Sequence, residues 1–393
     1  KIIFYLYLIM SSKYLNHRVF PLATSNNYTP NQNVDFRVTF PGRKMVAGSL
    51  RIEGRFNCFK TGTTKLIDTD IGSFFDNVIG ANCLFQDYTT STQNQGNLEI
   101  INEAPRWTKM VMTASTAEGD LSNSSHSSEL KSQNIQLSNR IMKGEIFVGQ
   151  DPTVDPNLAQ GMSFSVRPQC CINNATSPAG LPLIKNGTTG DITFTVKLAR
   201  NDAVFFGSDV ASAGSNIYNY NLSELSVSYT SVPDDNQPQS PLTMSTVHNV
   251  RQTAQSTFTN VSVNVAQMSN ACSMSFLRQY EENSPAFNNT KLDKPPLVTQ
   301  CEFLFNDSSN KYLTFNLKSE EEILDRYLLS LSSLNKNQLS KNKIKGNEAY
   351  GVGINFNGMI DLSSNKFGIN MTSNIASNSP YIIYLYFHGL IQL

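Results

Sequence analysis

The chain has 393 residues, more than one ordinary domain needs and enough for two. Its 31 basic and 31 acidic residues cancel, so it lacks the excess positive charge of proteins that coat nucleic acids. Hydrophobic residues make up 39% and charged residues 16%. This composition excludes charge-driven disorder and argues against the highly charged surface of an ordinary soluble enzyme.

The first residues are Lys1 and an apolar run that ends at Met10. The run is too short to span a membrane, and the core of a signal peptide remains one interpretation of it. The chain does not begin with Met, and Met10 could be a start residue. We therefore favour the interpretation that residues 1–9 are translated upstream sequence or part of a fragment. We treat residues 1–12 as an extension or arm.

Short strands and turns fill the first half of the chain. Val34–Phe40 carries an apolar residue at every second position, which predicts a strand with one buried face. Pro41-Gly42 predicts a turn. Met45–Phe56 predicts a second strand pair, with Gly48 and Gly54 at bulges or close approaches of the backbone.

The rest of the first half combines strands with one helix and one long loop. Apolar residues at helical spacing over 68–79 predict a short helix, and the polar segment 115–140 predicts a long exposed loop. The remaining predictions are a strand over 81–88, a hairpin tip over 89–97 and further strands over 98–101, 144–148, 162–168, 190–199 and 221–232.

A break at Ser231–Pro241 divides the chain. It holds three prolines and two acidic residues, a composition that continues neither a strand ladder nor a helix. We therefore predict a hinge between two β domains, each burying a core of its own.

The second half also predicts strands, over 257–265, 297–305, 311–317, 350–360 and 366–372. Ser319–Glu322 has the pattern of a capping box, and the apolar residues over 323–334 trace one face of a helix of about four turns. A polar loop is predicted over 335–345. The apolar, aromatic terminus Pro380–Leu393 predicts a buried sheet strand.

Several acidic residues are spaced closely enough to suggest a catalytic pair or a calcium site. Glu99 with Glu103, or Asp68 with Asp70, could in principle supply the paired carboxylates of a glycoside hydrolase. Each pair lies beside turn-rich sequence, so solvated charge is the favoured explanation. Acidic residues in a first helical turn (Glu320–Glu322) and in a turn (Asp151 and Asp155) likewise need no metal. We predict no catalytic, cofactor-binding or metal-ligating residue and no cofactor.

Four lysines form a small basic cluster that could contact nucleic acid or an anionic membrane. No aromatic residue lies between them to stack on bases, so a solvated loop is the favoured interpretation. They are Lys336, Lys341, Lys343 and Lys345. Asn-x-Ser/Thr sequons such as that at Asn27 are expected by chance in a chain so rich in these residues.

Cysteine and histidine spacing predicts no metal site. The six cysteines contain no Cys-x-x-Cys pair and are expected to be buried free thiols in a reducing compartment. They are Cys58, Cys83, Cys170, Cys171, Cys272 and Cys301. The four histidines, His17, His126, His248 and His388, are scattered along the chain.

Several stretches share the spacing and residue character of one protein family. Those similar to its opening strands and central region are Phe36–Lys44 with Ser49–Gly54, Phe75–Phe85, Gly96–Ile100 and Pro105–Met110. Those similar to its late strands are Phe164–Pro168, Leu181-Pro182 and Gly190–Ala199, and the long helix with Tyr381–Phe387 is similar to its end. Through these stretches the chain resembles the double jelly-roll major capsid proteins of eukaryotic double-stranded DNA viruses, of the polinton-like virus, virophage and adintovirus type.

The resemblance implies an all-β protein of two fused jelly-roll barrels with long loops and short helices. We expect an N-terminal arm over 1–12, a first jelly roll over 13–232, a linker over 233–241 and a second jelly roll over 242–393. The implied function is structural and non-enzymatic: a homotrimeric, pseudo-hexagonal capsomer of an icosahedral shell, located in the virion and assembled inside the host cell.

Partners implied by the resemblance are neighbouring capsomers, penton proteins and minor capsid proteins. No specific nucleic-acid binding is expected, and an internal membrane is possible but not indicated. Two alternatives stay open. A minor capsid (penton) protein would normally need one jelly roll. A secreted carbohydrate-binding β-sandwich would need an aromatic platform, for which Trp107 is the single tryptophan.

Overall fold

The computed structural model describes most of the chain, and the strands and helices below belong to these residues. They are 13–23, 25, 27–60, 75–76, 78–115, 129, 162–178, 180–206, 218–255, 257–265, 267–298, 300–305, 308–315, 319–332, 349–376 and 378–393. Several predictions lie outside them: the arm over 1–12, Asp68, Asp70, Asp151, Asp155, His126, the strand over 144–148, the lysine cluster and nearly all of the loop over 115–140.

Eleven strands precede the break: β1 (Leu15–Val19), β2 (Asn33–Val38), β3 (Arg43–Val46), β4 (Arg51–Lys60), β5 (Phe85–Thr92), β6 (Gly96–Ile101), β7 (Met162–Val166), β8 (Ala175–Thr176), β9 (Leu183–Lys185), β10 (Ile192–Leu198) and β11 (Tyr218–Pro233). Eight follow it: β12 (Thr243–Ala254), β13 (Phe258–Val263), β14 (Met268–Arg278), β15 (Gln300–Phe305), β16 (Ser308–Phe315), β17 (Val352–Asp361), β18 (Phe367–Thr372) and β19 (Tyr381–Gln392). We call β1–β11 the first unit and β12–β19 the second unit.

The helices are short. They are α1 (Ala104–Ser115), α2 (Asn186–Thr189), α3 (Asn201–Val204) and α4 (Glu320–Ser332), with 3-10 turns at Gly80–Leu84, Cys171–Asn174 and Gln279–Glu281. Helix α4 begins as predicted, because the Ser319 hydroxyl accepts a hydrogen bond from the Glu322 backbone N–H at 3.2 Å. Within the described part of the chain, no helix is both long and apolar enough to cross a bilayer.

The two units repeat one strand order. In the second unit the sheets run β12-β19-β14-β17 and β13-β18-β15-β16, which is 1-8-3-6 and 2-7-4-5 when its strands are numbered in chain order. In the first unit the sheets run β1-β11-β4-β7 and β2-β10-β5-β6. The first unit has the same strand order as the second when β3 and β4 together are counted as its third strand and the short strands β8 and β9 are left out of the numbering. Two sheets of four strands in this order form a jelly roll, so the predicted fold class is confirmed.

The second sheet of the first unit continues into the first sheet of the second unit. Strands β6 and β12 are parallel neighbours that pair at Ile100 and His248. Strand β12 itself pairs with β19 along its whole length, from Thr243 to Ala254. The two units therefore share one sheet, but its two halves meet at a narrow seam.

Alternating sequence explains the strands that were predicted best. In β2 the side chains of Val34, Phe36 and Val38 are buried and those between them are exposed. Gly48 and Gly54 lie where the backbone comes close to another segment, as predicted. At Gly48 φ is +86°, and a Cβ at this residue would lie 2.9 Å from the Arg167 guanidinium.

Several sequence predictions were wrong in detail. Ser231–Pro233 still pairs with Arg43–Met45, so strand pairing continues through the first three residues of the predicted break and the first residue of the predicted linker. Pro233 is tolerated because it ends its strand and need not continue the ladder. Residues 81–84 form a 3-10 turn rather than a strand, and β5 extends to Thr92, which shortens the hairpin tip to 93–95.

The hydrophobic core is not divided at the break. One cluster of buried residues lies wholly in the second unit. The other fills the first unit and includes residues from beyond the break, which are Leu242, Met244, Val247, Leu277, Leu292, Leu324, Tyr327, Leu331, Ile382, Tyr384 and Tyr386. The expectation that each half buries a core of its own is therefore wrong for the first unit.

Candidate functional site: the joint between the two units

Helix α1 occupies the centre of the contact between the units, which we call the joint. Trp107 is fully buried, and its ring lies 5.2 Å from that of Tyr386 and 5.5 Å from that of His388, both on β19 of the second unit. Its indole N–H donates to the Gln169 carbonyl at 3.3 Å. A large aromatic side chain thus covers the outer face of the other unit's sheet, and its polar group is satisfied locally.

Arg106, beside it, reaches into the second unit. Its guanidinium lies 4.3 Å above the ring of Tyr384 and donates hydrogen bonds to the backbone carbonyls of Asn289 and Lys291. The side chain is 1% exposed, so these contacts replace water almost completely. A planar guanidinium suits this combination of ring stacking and forked donation, which a lysine would not reproduce.

A buried ion pair forms the polar centre of the joint. Lys109 Nζ lies 2.7 Å from Asp76 Oδ2, and the same oxygen accepts hydrogen bonds from Asn288 at 2.5 Å and Thr290 at 2.8 Å. Its other oxygen, Oδ1, accepts from the Val78 backbone N–H at 2.9 Å. Asp76 and Lys109 belong to the first unit, whereas Asn288 and Thr290 belong to the second.

The electrostatics of Asp76 favour its charged form. Burial alone would raise the pKa of this carboxyl, but the Lys109 ammonium and the hydrogen bonds from Lys109, Asn288 and Thr290 hold the pKa at about 2. The carboxylate therefore stays ionised at neutral pH, with donors on all sides. Separating the units would remove the hydrogen bonds of Asn288 and Thr290 from this buried carboxylate, which is costly and so ties the second unit to the first.

Glu99 links the units without a salt bridge. Its Oε2 accepts from the Cys171 backbone N–H at 2.7 Å, and its Oε1 accepts from the Val247 backbone N–H of the second unit at 2.9 Å. Burial raises the pKa of this carboxyl to about 8, against the lowering effect of the hydrogen bonds from Cys171 and Val247. Solvated charge is thus the wrong explanation for Glu99, which is 4% exposed.

The linker and a loop segment of the second unit make further contacts with the first unit. In the linker, Asp235 Oδ1 lies 2.7 Å and Asp234 Oδ1 3.5 Å from the buried Lys44 ammonium of β3. The segment 282–293, which joins β14 to β15, lies against the first unit, and the Asn289 side-chain amide donates to the Asp202 carbonyl at 2.9 Å. The Asn102 backbone N–H donates to the Asn249 side chain at 2.8 Å.

The remaining sequence candidates do not form a reactive site. Glu103 lies at the start of α1, where its carbonyl accepts from the Arg106 and Trp107 backbone N–H groups. Glu321 and Glu322 are exposed on the first turn of α4. The five cysteines whose side chains are described are buried free thiols. They are Cys83, Cys170, Cys171, Cys272 and Cys301, and burial raises the pKa of each.

No group of His, Cys, Asp or Glu side chains suited to a metal ion occurs among the residues that the structure describes. The geometry of the joint is that of a permanent internal contact, because its carboxylates, its lysine and two guanidinium nitrogens of Arg106 are bonded within the chain and the site is closed to water. Sequence reasoning did not find it, because Asp76 and Lys109 have no local pattern that marks them as buried partners.

No protein-family model matches the chain, and no curated protein matches it in sequence. Solved structures do match. The Faustovirus major capsid protein is 8% identical with a TM-score of 0.57, and the alignment covers 97% of this chain and 90% of that one. A chain of the Sputnik virophage cryo-EM structure is 11% identical with a TM-score of 0.56, covering 97% and 86% of the two chains.

The mavirus major capsid protein is also similar, at 10% identity and a TM-score of 0.52, with 97% of this chain and 90% of that chain covered. These likenesses extend over nearly the whole chain and span both units. At such low identity they establish the fold: the chain has the fold of the double jelly-roll major capsid proteins.

Proposed function

We propose that this protein is a structural, non-enzymatic major capsid protein whose homotrimers form pseudo-hexagonal capsomers of an icosahedral viral shell. One observation carries the proposal: the two units have the same jelly-roll strand order and are held together by a buried contact. Three copies of a chain with two similar units place six units around one axis, which gives a tile that is nearly hexagonal.

The proposed division of the chain follows the fold. Residues 13–232 form the first jelly roll, residues 233–241 the linker and residues 242–393 the second jelly roll, with residues 1–12 as an arm. The strand order supports the division, although Pro233 still belongs to β11 and the first unit completes its core with residues from the second.

The proposed partners are neighbouring capsomers, penton proteins and minor capsid proteins of the same particle, in a virion assembled inside the host cell. We assign no specific nucleic-acid binding, since 31 basic residues are balanced by 31 acidic ones. A secreted carbohydrate-binding protein is disfavoured, because the single tryptophan, Trp107, is buried and cannot form an aromatic platform.

Mass photometry and negative-stain electron microscopy of the purified full chain test the proposal. We expect trimers with hexagonal outlines, and shells or sheets of such particles at high concentration. A pentamer would instead indicate a penton protein. A monomer at all concentrations, together with sharp binding on a glycan array, would replace the capsid proposal with carbohydrate recognition.

A further inference from the structure

In the joint, one strand of each unit lies beside a strand of the other unit, whereas among the described residues the equivalent strands at the outer ends of the repeat pair only within their own unit. Inside the chain, β6 of the first unit lies beside β12 of the second. In the numbering of the repeat, this is the fifth strand of one unit next to the first strand of the following unit. The counterparts are β16, the fifth strand of the second unit, and β1, the first strand of the first unit.

Both counterparts are edge strands among the described residues. Strand β1 pairs only with β11, and β16 pairs only with β15. The outer edge of β12, by contrast, is occupied by β6 and β8. An edge with free backbone donors and acceptors can accept another strand, so natural proteins either protect such edges or use them.

The surface at β1 also exposes apolar side chains in an unusual concentration. Tyr14 is 47% exposed, Leu15 44%, Phe20 58% and Leu22 62%. They lie within nine consecutive residues, and the Arg18 guanidinium packs 5.5 Å above the Phe20 ring. Contiguous exposed apolar side chains with a polar surround mark a contact surface on a soluble protein.

The sheet face beside β1 differs from its counterpart in the joint. On β19 the outward residues Tyr384 and Tyr386 are buried against α1. On β11 the corresponding face carries Ser226 and Ser228, which bond to Arg18 at 2.8 Å and to Glu53 at 2.8 Å. Ser226 is buried and Ser228 is half-buried, so this face is lined by polar groups that are already hydrogen-bonded, and the exposed apolar surface lies along β1 itself.

We propose that β1 and its flanks (residues 14–22) form the docking surface for a second copy of this chain, which presents the outer edge of β16. The contact is head-to-tail and repeats, between copies, the arrangement of β6 and β12 within one copy. Head-to-tail contacts close into rings when the rotation per copy fits, and here about 120° per copy closes three chains. The inference rests on the proposed function and specifies which surfaces hold its trimer together.

Substitution tests the surface on the full-length protein. Leu22→Arg changes a side chain that is mostly exposed, so the fold is expected to survive, and we expect the trimer association constant to fall about tenfold or more. Leu181→Arg, at a leucine that is 50% exposed elsewhere on the first unit, is the matched control and should assemble like the wild type. Thermal unfolding of the monomers confirms that both variants are folded.

Cross-linking tests the partner. Asn16→Cys on β1 and Lys311→Cys on β16 are made in separate chains, and a short bis-maleimide is added to each alone and to their mixture. We expect covalent dimers only in the mixture, and none from the wild-type chain. Dimers from Asn16→Cys alone would mean a two-fold contact and would overturn the inference.

The outcomes separate the two proposals. If the wild type forms trimers but Leu22→Arg assembles normally and the mixture does not cross-link, the β1 inference fails and the capsid proposal stands. If the wild type forms no trimer at all, the proposed function fails with it.

Discussion

Asp76 and Lys109 are the pair on which the joint depends most. Lys109→Met would leave the buried Asp76 carboxylate without its cation, and we expect a loss of about 3–5 kcal/mol in the free energy of unfolding. The exposed pair of Arg55 and Glu224, 3.7 Å apart with side chains 45% and 63% exposed, provides the control. Arg55→Met should cost under about 1 kcal/mol. Urea unfolding measures both, and equal losses would show that the Asp76 site is not structural.

Glu99 gives the protein a predicted response to pH. Its folded pKa of about 8 lies above the ordinary value of 4.5, so its contribution to stability is complete below pH 4.5 and is lost as pH rises through 8. Burial lowers the pKa of His17, His248 and His388, and these groups act in the opposite direction but only below their ordinary value of 6.5. Burial also raises the pKa of Glu103, Asp202 and Glu281, in the same direction as Glu99, so the contribution of Glu99 between pH 6.5 and 8 is the part of the slope that Glu99→Gln removes.

In that window we expect the free energy of unfolding to fall with rising pH, by up to about 1.4 kcal/mol per pH unit. Residue 99 no longer titrates in Glu99→Gln, so this variant should be less stable at the start of the window and should lose less stability across it. Chemical unfolding at several pH values gives both slopes. A wild-type slope no steeper than that of Glu99→Gln would disprove the assignment.

The packing of α4 on β17 depends on two glycines, Gly353 in the strand and Gly351 just before it. A Cβ at Gly353 would lie 2.0 Å from the Ser330 hydroxyl oxygen, and one at Gly351 would lie 2.6 Å from the Tyr327 ring. We expect Gly353→Ala to push α4 away from the sheet and to destabilise the protein by about 1–3 kcal/mol.

Gly358 on the same strand is the matched control, because a Cβ there meets nothing within 4 Å. Gly358→Ala should be neutral or slightly stabilising, since alanine restricts the unfolded chain. Thermal unfolding of the two variants compares them directly. Equal melting temperatures would mean that α4 does not need the close approach.

Elements with a one-sided burial pattern were predictable from sequence, whereas of the strands buried on both sides only β19, with its long apolar and aromatic run, was predicted. Strands β2 and β10 alternate cleanly, and α4 carries both a cap and an apolar face, so each was predicted. Strand β14 was missed because almost every residue in it is buried, including Ser273 and Ser275, and no period is visible.

Helix α1 was missed for a related reason. Arg106 and Lys109 are charged residues of the kind usually found at surfaces, yet both are buried in the joint. Their partners lie far away in sequence: Lys291 is 185 residues from Arg106. Only the folded chain brings such groups together, so the joint could not be derived from local pattern.

At the scale of the whole molecule, we expect the linker to be dispensable once folding is complete. Residues 235–238 are exposed, and a protease site inserted there should be cut without unfolding the protein. Because the first core includes side chains of the second unit, the two fragments should elute together in gel filtration. Fragments that separate after cleavage would show that the joint is weaker than its contacts imply.

Expressing the halves separately is a different experiment with a different expected result. A first half on its own would expose Trp107, Arg106 and the apolar residues around them to water. We expect it to aggregate, whereas the second half retains a complete cluster of its own and should stay folded. Circular dichroism and light scattering of the two fragments compare them.

The seam between β6 and β12 has a mechanical consequence. Backbone pairing crosses it at one position, Ile100 with His248, whereas neighbouring strands are joined along their lengths. A sheet under bending load yields where fewest hydrogen bonds cross, so we expect the molecule to bend most easily along this line. The side-chain contacts of Arg106 and Trp107 are then what resists the bending of one unit against the other.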